Sequence, residues 1–542
     1  MNILAVDSNE VSDVRFLPGG SDGLVIELSG LAQTLALFDR LQEADLPGLH
    51  AVIPGARTLL LKFDRFQTSA HALQQAVAAF GAIGTAARSG LQHDIPVIYD
   101  GEDLDEVMRL MGLDKPTLIA RHGAAHFSVA FTGFAPGFAY LYCADPAFDL
   151  PRRTVPRVAI PAGAVALAGR FGGVYPRQSP GGWQIIGRTD VPMWDMSRPR
   201  PALFMPGDTV RFRAASQMDV TILPPAPKPP ASPQSPLAFR VLRADRPALW
   251  QDGGRDGFTG QGVGQSGAMD RAAMGRANRL LGNPADDPVI EVSLGGLQLR
   301  AEAALTIALS GAPAPCNITT TGGRKITVPH DQPFALDAGD VVRLAVPRAG
   351  IYSYLALRGG YDIAPVLGSA ATDTLAQLGP MPLRAGDAIH GAGRSAQAVA
   401  DAALGPDLPA RGSDVILDVI PGPRTDWFTA TGFQTFATQS WTVSDAVDRV
   451  GMRLTGGAPI ERAHLGEMVS EGTPTGAIQV PHSGYPLVFL RDHPLTGGYP
   501  VIAVIADYHL DLAAQIPPGA RVRFNPIAHF APVTADMQEM HS

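Results

Sequence analysis

The chain has 542 residues, 46% of them hydrophobic and 17% charged, a composition typical of a folded globular protein and not of a disordered one. A chain of this length requires several hydrophobic cores, and its net charge of −8 argues against nucleic acid as the main partner. The sequence has two cysteines and no apolar run of about 18 residues, so it predicts no disulfide scaffold, no zinc cluster and no membrane partner. We therefore expect a cytoplasmic protein of several domains.

The first 90 residues alternate strand and helix patterns. Residues 13–28 predict two strands around a glycine-rich turn, and residues 31–44 predict a helix because apolar side chains recur on one face. A strand pair follows at 51–63, and a second helical pattern covers 69–87. These elements predict a small α+β domain over residues 1–90.

A β-rich unit is predicted over residues 91–222. His122 and His126 have the spacing of a metal pair on a helix, but Gly123 and the neighbouring strand pattern argue against a helix there, so no metal site is predicted. Between 161 and 189 the glycines are too dense for a helix and separate short apolar strands. This stretch is either a set of tight turns in a β core or the wall of a small-molecule site, since glycine lets the backbone approach a ligand closely.

Residues 223–237 are rich in proline and predict an extended linker. Two β-barrel halves are expected after it, over 238–400 and 401–530, followed by a frayed tail at 531–542. The clearest helical pattern of this half covers 268–281, and Gly282 and Pro284 mark its end.

A weak repeat connects the two halves of the chain. Its four copies are MPGDTVRF (205–212), DAGDVVRL (337–344), RAGDAI (384–389) and PPGARVRF (517–524). Each has a glycine-containing turn that leads into a strand, which suggests several β-barrel units of related design. Turns of this kind that lead into strands are also common in proteins without repeats, so each match alone carries little weight.

Carboxylates in turn-like settings are candidates for acid–base chemistry, because burial could tune their pKa values. They are Asp252, Asp270, Asp362, Asp373, Glu471 and Asp492. Each could equally cap a turn. The sequence contains no Walker P-loop and no Gly-x-Ser-x-Gly elbow. From its residues alone, the chain is a ligand-binding β protein.

Long motifs carry a resemblance to a known family. FTGFAPGFAYL (131–141), VYPRQSPGGWQIIGRT (174–189) and MPGDTVRF resemble subunit 1 of the allophanate-hydrolase/urea-carboxylase-related family. YLALRGGYDIAPVLGSAATD (354–373) and SEGTPTGAIQVP (470–481) resemble subunit 2. The chain is identified as a fusion of the two subunits.

This resemblance implies a mainly β protein, with a ferredoxin-like small domain followed by cyclophilin-like β-barrel domains and a site between the two halves. It implies the fused B–C component of an ATP-dependent 5-oxoprolinase-type amidohydrolase, which activates 5-oxoproline or a related lactam or amide. One alternative is a carboxyltransferase that moves CO2 from carboxybiotin to urea or a urea-like amide. A second alternative is a non-catalytic protein that regulates a kinase.

The resemblance also implies cofactors and partners. ATP and Mg²⁺ would serve the 5-oxoprolinase reaction together with a separate A subunit. Biotin carrier and carboxylase subunits would serve the alternative, and the chain could form a homo-oligomer. No covalent biotin is expected, because none of the four lysines has a methionine beside it.

The resemblance and the turn chemistry together select the candidate site residues. The predicted catalytic residues are His122, Asp252, Glu471 and Asp492, of which the three carboxylates could also hold Mg²⁺. The predicted substrate contacts are Phe134, Pro136, Phe138, Tyr175, Ser179, Trp183, Arg188 and Gln479. The predicted phosphate ligands are Arg170, Arg177 and Arg255.

The chain departs from the family pattern at two places. It has GRFGGVYP (169–176) where the family usually has GGQTGIYP, so Arg170, Phe171 and Gly172 replace Gly, Gln and Thr. It has GSAATD (368–373) where GSRSTD is usual, so Ala370 stands in place of an arginine. If the replaced groups touch substrate, the chain accepts something other than 5-oxoproline or has reduced activity.

Overall fold

The computed structural model describes residues 14–81, 90–216, 235–401, 404–466 and 468–533. Most of the predicted proline-rich linker, the end of the predicted helix at 69–87 and most of the predicted tail therefore lie outside the described residues. Strands dominate and form several barrel-like sheets, which confirms the mainly β prediction. Among the described residues, no helix combines the length and apolar content needed to cross a membrane.

The N-terminal domain is α+β, as predicted. Its elements are β1 (Arg15–Pro18), β2 (Gly23–Glu27), α1 (Leu31–Glu43), β3 (Leu49–Pro54), β4 (Thr58–Phe63) and α2 (Ala70–Ala79). The antiparallel sheet has the order β1-β2-β4-β3. One face packs under both helices, and the other face packs on Leu495 of the last barrel. Because the chain order is ββαββα, the ferredoxin-like connectivity βαββαβ is not confirmed.

The first barrel follows. Its elements are β5 (Gln92–Val97), α3 (Leu104–Met111), α4 (Lys115–Ala124), β6 (Phe127–Thr132), β7 (Ala139–Cys143), β8 (Arg157–Ile160), β9 (Ala164–Ala168), β10 (Phe171–Val174), β11 (Ser179–Gly181), β12 (Gln184–Arg188) and β13 (Thr209–Ala214). Seven strands form a sheet of order β12-β9-β10-β7-β6-β13-β5, and a bridge between Ile98 and Arg188 joins its ends. The first and last strands, β5 and β13, pair in parallel.

The segment around His122 is a helix, so the sequence argument against a helix there was wrong. The Asp114 side chain accepts a hydrogen bond from the Thr117 backbone N–H and caps the start of α4. Gly123 lies in the last turn, where its helix-breaking tendency costs little. His126 lies beyond the helix, and the described residues contain no group of three or more side chains suited to hold a metal ion.

The unit over 235–401 consists of two sheets around one core, and we call it the two-sheet unit. Its elements are β14 (Leu237–Ala244), β15 (Ala248–Gln251), α5 (Arg271–Leu280), β16 (Val289–Ser293), β17 (Leu297–Ala301), β18 (Leu305–Gly311), β19 (Cys316–Thr319), β20 (Lys325–Val328), β21 (Pro333–Leu336), β22 (Val341–Leu344), β23 (Tyr352–Leu357) and β24 (Ala388–His390). The predicted helix at 268–281 begins later, at Arg271, because the Asp270 side chain caps it.

The last unit is a closed seven-stranded barrel, which we call the closed barrel. Its elements are β25 (Asp414–Pro421), α6 (Ala430–Thr438), β26 (Trp441–Val447), β27 (Gly451–Thr455), β28 (Glu471–Gly472), β29 (Ala477–Gln479), β30 (Leu487–Phe489), β31 (Thr496–Gly497), β32 (Val501–Ile505), α7 (Leu510–Ala514) and β33 (Arg521–Pro526). The strand order is β25-β32-β29-β30-β27-β26-β33, and β25 and β33 pair in parallel. Helix α5 packs between this barrel and the two-sheet unit in one continuous core.

The four copies of the repeat fold alike. Gly207, Gly339, Gly386 and Gly519 all have φ between 82° and 97°, and each turn leads into a strand. In the first three copies, an aspartate after the glycine accepts a hydrogen bond from the backbone N–H three residues earlier. Two of the resulting strands, β13 and β33, pair in parallel with the first strand of their own barrel.

Candidate functional site

A cleft of about 780 Å³ lies where the first barrel, the two-sheet unit and the closed barrel meet. We call it the interdomain cleft. Its lining includes Phe134 and residues 177–180 from the first barrel, Tyr352 and Leu375 from the two-sheet unit, and residues 447–450 from the closed barrel. Both halves of the chain therefore form its walls, and most of the wall area is apolar. A cavity of this size and composition suits a small organic ligand.

The turn between β6 and β7 carries Phe134 to the cleft. Phe134 has φ of +63°, a left-handed conformation that is uncommon for a bulky residue. A Cβ atom on Gly133 would come within 2.5 Å of the Thr496 side chain of the closed barrel, so only glycine permits this approach. The turn is therefore held against the C-terminal half of the chain.

Arg177 extends from the first barrel across to the two-sheet unit. Its Nη2 donates to the Leu375 carbonyl, and its buried Nε has no acceptor in the part of the chain that the structure describes. Burial lowers the pKa of Arg177, while the charge of Asp373 opposes that shift. The hydrogen-bonding capacity of this guanidinium is thus only partly used.

Asp373 immediately precedes Thr374 and Leu375 of the cleft wall, and it is paired with Arg255, which lines a different cavity. Burial, reinforced by the charge of Asp492, raises the pKa of Asp373 to about 7. Arg255 Nη1 lies 4.0 Å from the carboxylate of Asp373, and Arg255 Nη2 donates to the Ala371 carbonyl. The charge of Asp373 is therefore sensitive to pH near neutrality.

A buried ion network ties the closed barrel to the two-sheet unit. Arg449 donates from Nε and Nη2 to the two carboxylate oxygens of Asp492, at 2.9 Å each, and from Nη1 to Glu291. Asp492 also accepts from Ser266 Oγ at 2.6 Å and from both the backbone and the hydroxyl of Thr374 at 2.8 Å. The oxygens of Asp492 are thus fully engaged inside the protein.

The three carboxylates expected to hold Mg²⁺ do not assemble into a site. Asp252 accepts hydrogen bonds from Ser369 Oγ, at 2.6 Å, and from the Ala370 and Gly254 backbones, so it fastens two loops together. Glu471 is buried and receives three hydrogen bonds from Arg424, and Asp492 is bound by Arg449. Cations and N–H donors occupy the oxygens that a metal would need, so these residues do not fit Mg²⁺.

An aromatic cluster separates the interdomain cleft from a second cavity. Phe138 is buried at its centre, with ring centroids 5.3 Å from Phe134, 5.3 Å from Tyr175 and 5.4 Å from Trp183. Phe134 lines the interdomain cleft, and Trp183 lines the second cavity. The predicted aromatic contacts are thus brought together, but Phe134 and Trp183 face two different cavities, and the buried Phe138 and Tyr175 line neither of them.

The second cavity, of about 720 Å³, lies between the N-terminal domain, the first barrel and the segment 468–470. We call it the Arg170 cleft. Arg57, Arg152 and Arg170 line it together with Trp183. The three predicted phosphate ligands therefore line three different cavities, since Arg255 lines a third one between the N-terminal domain and the C-terminal half of the chain.

Several predicted site residues lie elsewhere. His122 is fully buried in the aromatic core of the first barrel, where Tyr99 binds its Nδ1 at 2.7 Å and burial lowers its pKa to about 3. Arg188 is exposed and pairs with Asp100 at 2.9 Å. Gln479 is buried in the closed barrel and donates to the Tyr499 carbonyl, and Pro136 is buried in the turn after Phe134.

The sequence did not single out Glu291, Arg449, Arg57 or Arg152. Glu291 is flanked by the buried apolar residues Ile290 and Val292 in its strand, and a carboxylate in such a place requires a partner. A carboxylate between apolar strand residues could therefore have identified Glu291 as a candidate from the sequence. Arg57 and Arg152 lie in ordinary loop contexts that carry no signal in the sequence.

Two family models match the chain. "Carboxyltransferase domain, subdomain C and D" matches residues 14–204, and "Carboxyltransferase domain, subdomain A and B" matches residues 261–526. The second half is 34% identical over 298 residues to the C subunit of 5-oxoprolinase from Escherichia coli strain K12, covering 53% of this chain and 90% of that protein. Over 164 residues the chain is 34% identical to the B subunit of 5-oxoprolinase from Haemophilus influenzae, covering 30% of this chain and 77% of that protein.

Two further similarities bear on architecture and chemistry. "Urea amidolyase" of Saccharomyces cerevisiae is 29% identical over 296 residues, which cover 51% of this chain and 16% of that protein. The crystal structure of TTHA0988 superposes with a TM-score of 0.79 at 34% identity, covering 93% of this chain and 99% of that one. The order of the two halves within one chain is thus shared with a solved protein.

Proposed function

The chain belongs to the carboxyltransferase-domain family to which the B and C subunits of 5-oxoprolinase are related, and we propose that it is the fused B–C component of an ATP-dependent 5-oxoprolinase. It would activate 5-oxoproline or a related lactam, and a separate A subunit would complete ring opening to glutamate. The observation that carries this proposal is that regions similar to both subunits face each other across one cleft. The cleft is where a substrate would touch both.

The interdomain cleft suits a small cyclic amide that carries a carboxylate. Phe134 and Leu375 offer apolar surface for the ring, and the partly used guanidinium of Arg177 offers a cation for the carboxylate. Arg177 forms no ion pair with a described carboxylate, although Asp445 and Asp448 also line the cleft, so its guanidinium can pair with an anionic ligand. Arg177 therefore binds and orients the substrate in this proposal.

ATP would supply the phosphoryl group that makes the lactam carbonyl carbon electrophilic. The contribution of this chain to that step is positioning and charge, through Arg177 at the cleft. Arg255 is fully buried, has Asp373 as its ion-pair partner at 4.0 Å and lines a different cavity, so no role is assigned to it in this step. Because the predicted Mg²⁺ ligands do not fit the metal, no role is assigned to them in the reaction.

Reconstitution tests this proposal directly. The purified chain, a 5-oxoprolinase A subunit, ATP and 5-oxoproline are mixed, and phosphate and glutamate are measured. We expect lactam-dependent release of both products in equal amounts. In Arg177→Ala, we expect the KM for the lactam to rise at least about tenfold, because a charge-assisted hydrogen bond is lost. Arg109→Ala, which removes an exposed arginine of α3, is the matched control.

The family description and the urea amidolyase similarity favour one second candidate, a carboxyltransferase. The same preparation is therefore given free carboxybiotin and urea, and carboxylated product is measured. Carboxyl transfer without lactam-dependent phosphate release would replace the 5-oxoprolinase proposal by this one.

A further inference from the structure

The Arg170 cleft has an excess of positive charge. Arg152 and Arg170 have no ion pair with a carboxylate in the described ranges, and Arg57 shares Glu27, at 3.4 Å, with two other arginines. Asp149, which is exposed at the rim, is the one carboxylate of the lining. Three guanidinium groups against one exposed carboxylate favour an anionic ligand.

The start of α1 adds to this charge. Gly30 and Leu31, the N-cap and first residue of that helix, line the cleft. No side chain caps the helix, and its first turn contains no acidic residue. Backbone N–H groups at a helix start attract anions, above all phosphate. The helix end and the arginines therefore face the same volume.

The other wall of the cleft is aromatic. Tyr142 and Phe171 are partly exposed there, with ring centroids 6.1 Å apart, and the more buried rings of Trp183 and Tyr140 also line the cleft. The Arg170 guanidinium lies over the Tyr142 ring, 5.4 Å from its centroid. Such a surface offers stacking contacts to a planar ring, next to the cationic groups.

From these observations we propose that the Arg170 cleft binds a ligand that joins a phosphate to a planar ring, and a nucleoside phosphate has this chemistry. The phosphate lies between α1 and the arginines, and the ring packs on Phe171 and Tyr142. The volume of about 720 Å³ accommodates a molecule of this size. Arg170 and Phe171 are also two of the positions at which the sequence departs from the family pattern, so the preference belongs to this chain.

This inference goes beyond the proposed function, since it requires no reaction at the interdomain cleft. The two cavities are separated by the rings of Phe134, Phe138 and Trp183. A ligand in the Arg170 cleft therefore does not need Arg177, and a ligand in the interdomain cleft does not need Arg170. Binding and turnover can be measured separately, and either can fail without the other.

Isothermal titration calorimetry on the full chain tests the proposal, with AMP as the probe and adenosine and inorganic phosphate as its two parts. We expect AMP to bind one site, and each part to bind at least about tenfold more weakly, because each lacks one half of the contacts. The double variant Arg152→Ala/Arg170→Ala should weaken AMP binding at least about tenfold. Phe171→Leu should weaken AMP more than inorganic phosphate.

Arg109→Ala is the matched control and should bind AMP like the wild type, and circular dichroism shows that each variant is folded. Two results would overturn the inference. One is adenosine binding as tightly as AMP. The other is AMP binding that the double variant retains and Arg177→Ala loses, which would place the nucleotide in the interdomain cleft.

Discussion

Replacing Arg449 with methionine is predicted to destabilise the junction between the closed barrel and the two-sheet unit. Arg449 is buried and makes paired hydrogen bonds to Asp492 at 2.9 Å, a bond to Glu291 and a bond to the Gly267 carbonyl at 2.6 Å. Methionine fills most of the volume but leaves two buried carboxylates without their cation. Removing one partner of a buried pair costs about 3–5 kcal/mol, so we expect a loss of that size.

The measurement is urea unfolding followed by tryptophan fluorescence. Trp441, one of five tryptophans, is fully buried in the core that α5 shares with the closed barrel, so part of the emission reports this junction. Arg453→Met serves as the matched control, because Arg453 lies on the neighbouring strand and is exposed. We expect the midpoint of Arg449→Met to fall clearly below that of Arg453→Met.

The pH dependence gives this prediction a second readout. Burial acts to raise the pKa of Asp492, but the charge and hydrogen bonds of Arg449 outweigh it and hold the pKa below its usual value. Asp492 therefore contributes stability above the pKa of the unfolded chain, about 4, and loses it as the pH falls. In Arg449→Met, the hydrogen bonds from Ser266 and Thr374 still favour the charged form of Asp492, but the cation that opposed the effect of burial is gone, so the pKa of Asp492 should rise. Asp492 in the folded variant then takes up a proton readily. The difference in free energy of unfolding between the wild type and the variant should therefore shrink from pH 7.5 to pH 5. A deficit within about 0.5 kcal/mol of the Arg453→Met control, or one that grows on acidification, would refute the reasoning.

Three further predictions concern titratable groups. Protonation of Asp373, whose pKa is about 7, removes a negative charge near Arg177. The KM for an anionic lactam should therefore fall by about threefold to tenfold from pH 8 to pH 6. Asp373→Asn should abolish that change. Glu471→Gln should destabilise the protein by about 1.5–3 kcal/mol, because Arg424 loses one of its two carboxylate partners and keeps Glu27. The Mg²⁺ concentration that half-saturates turnover should stay unchanged, and a shift in that concentration would return Glu471 to a metal-binding role. His122, with a pKa of about 3 in the fold against about 6.5 unfolded, should cost stability as the pH falls below 6.5, and His122→Phe should show a shallower loss in acid unfolding.

The secondary structure depends largely on interactions between residues close in the sequence, so most of it could be predicted from the sequence. Helix α1 and the strand pair β3–β4 lie within a few residues of the bounds that the sequence predicts. The four repeat turns rest on a glycine at positive φ and, in three copies, on an aspartate that binds the backbone three residues away. The wrong prediction that the segment around His122 is not helical also has a local cause, because the Asp114 cap outweighs the helix-breaking tendency of Gly123.

The sequence by itself determined the mainly β fold, the α+β start and the repeated turns, while the site between the two halves was an expectation from the family resemblance. Only the tertiary structure decided what each charged side chain does. Arg449 meets Glu291 across 158 positions of the chain, and Arg424 meets Glu27 across 397. Because the energy of a buried charge depends on its partners and on its distance from water, and both are set by packing between domains, no local pattern could have revealed them.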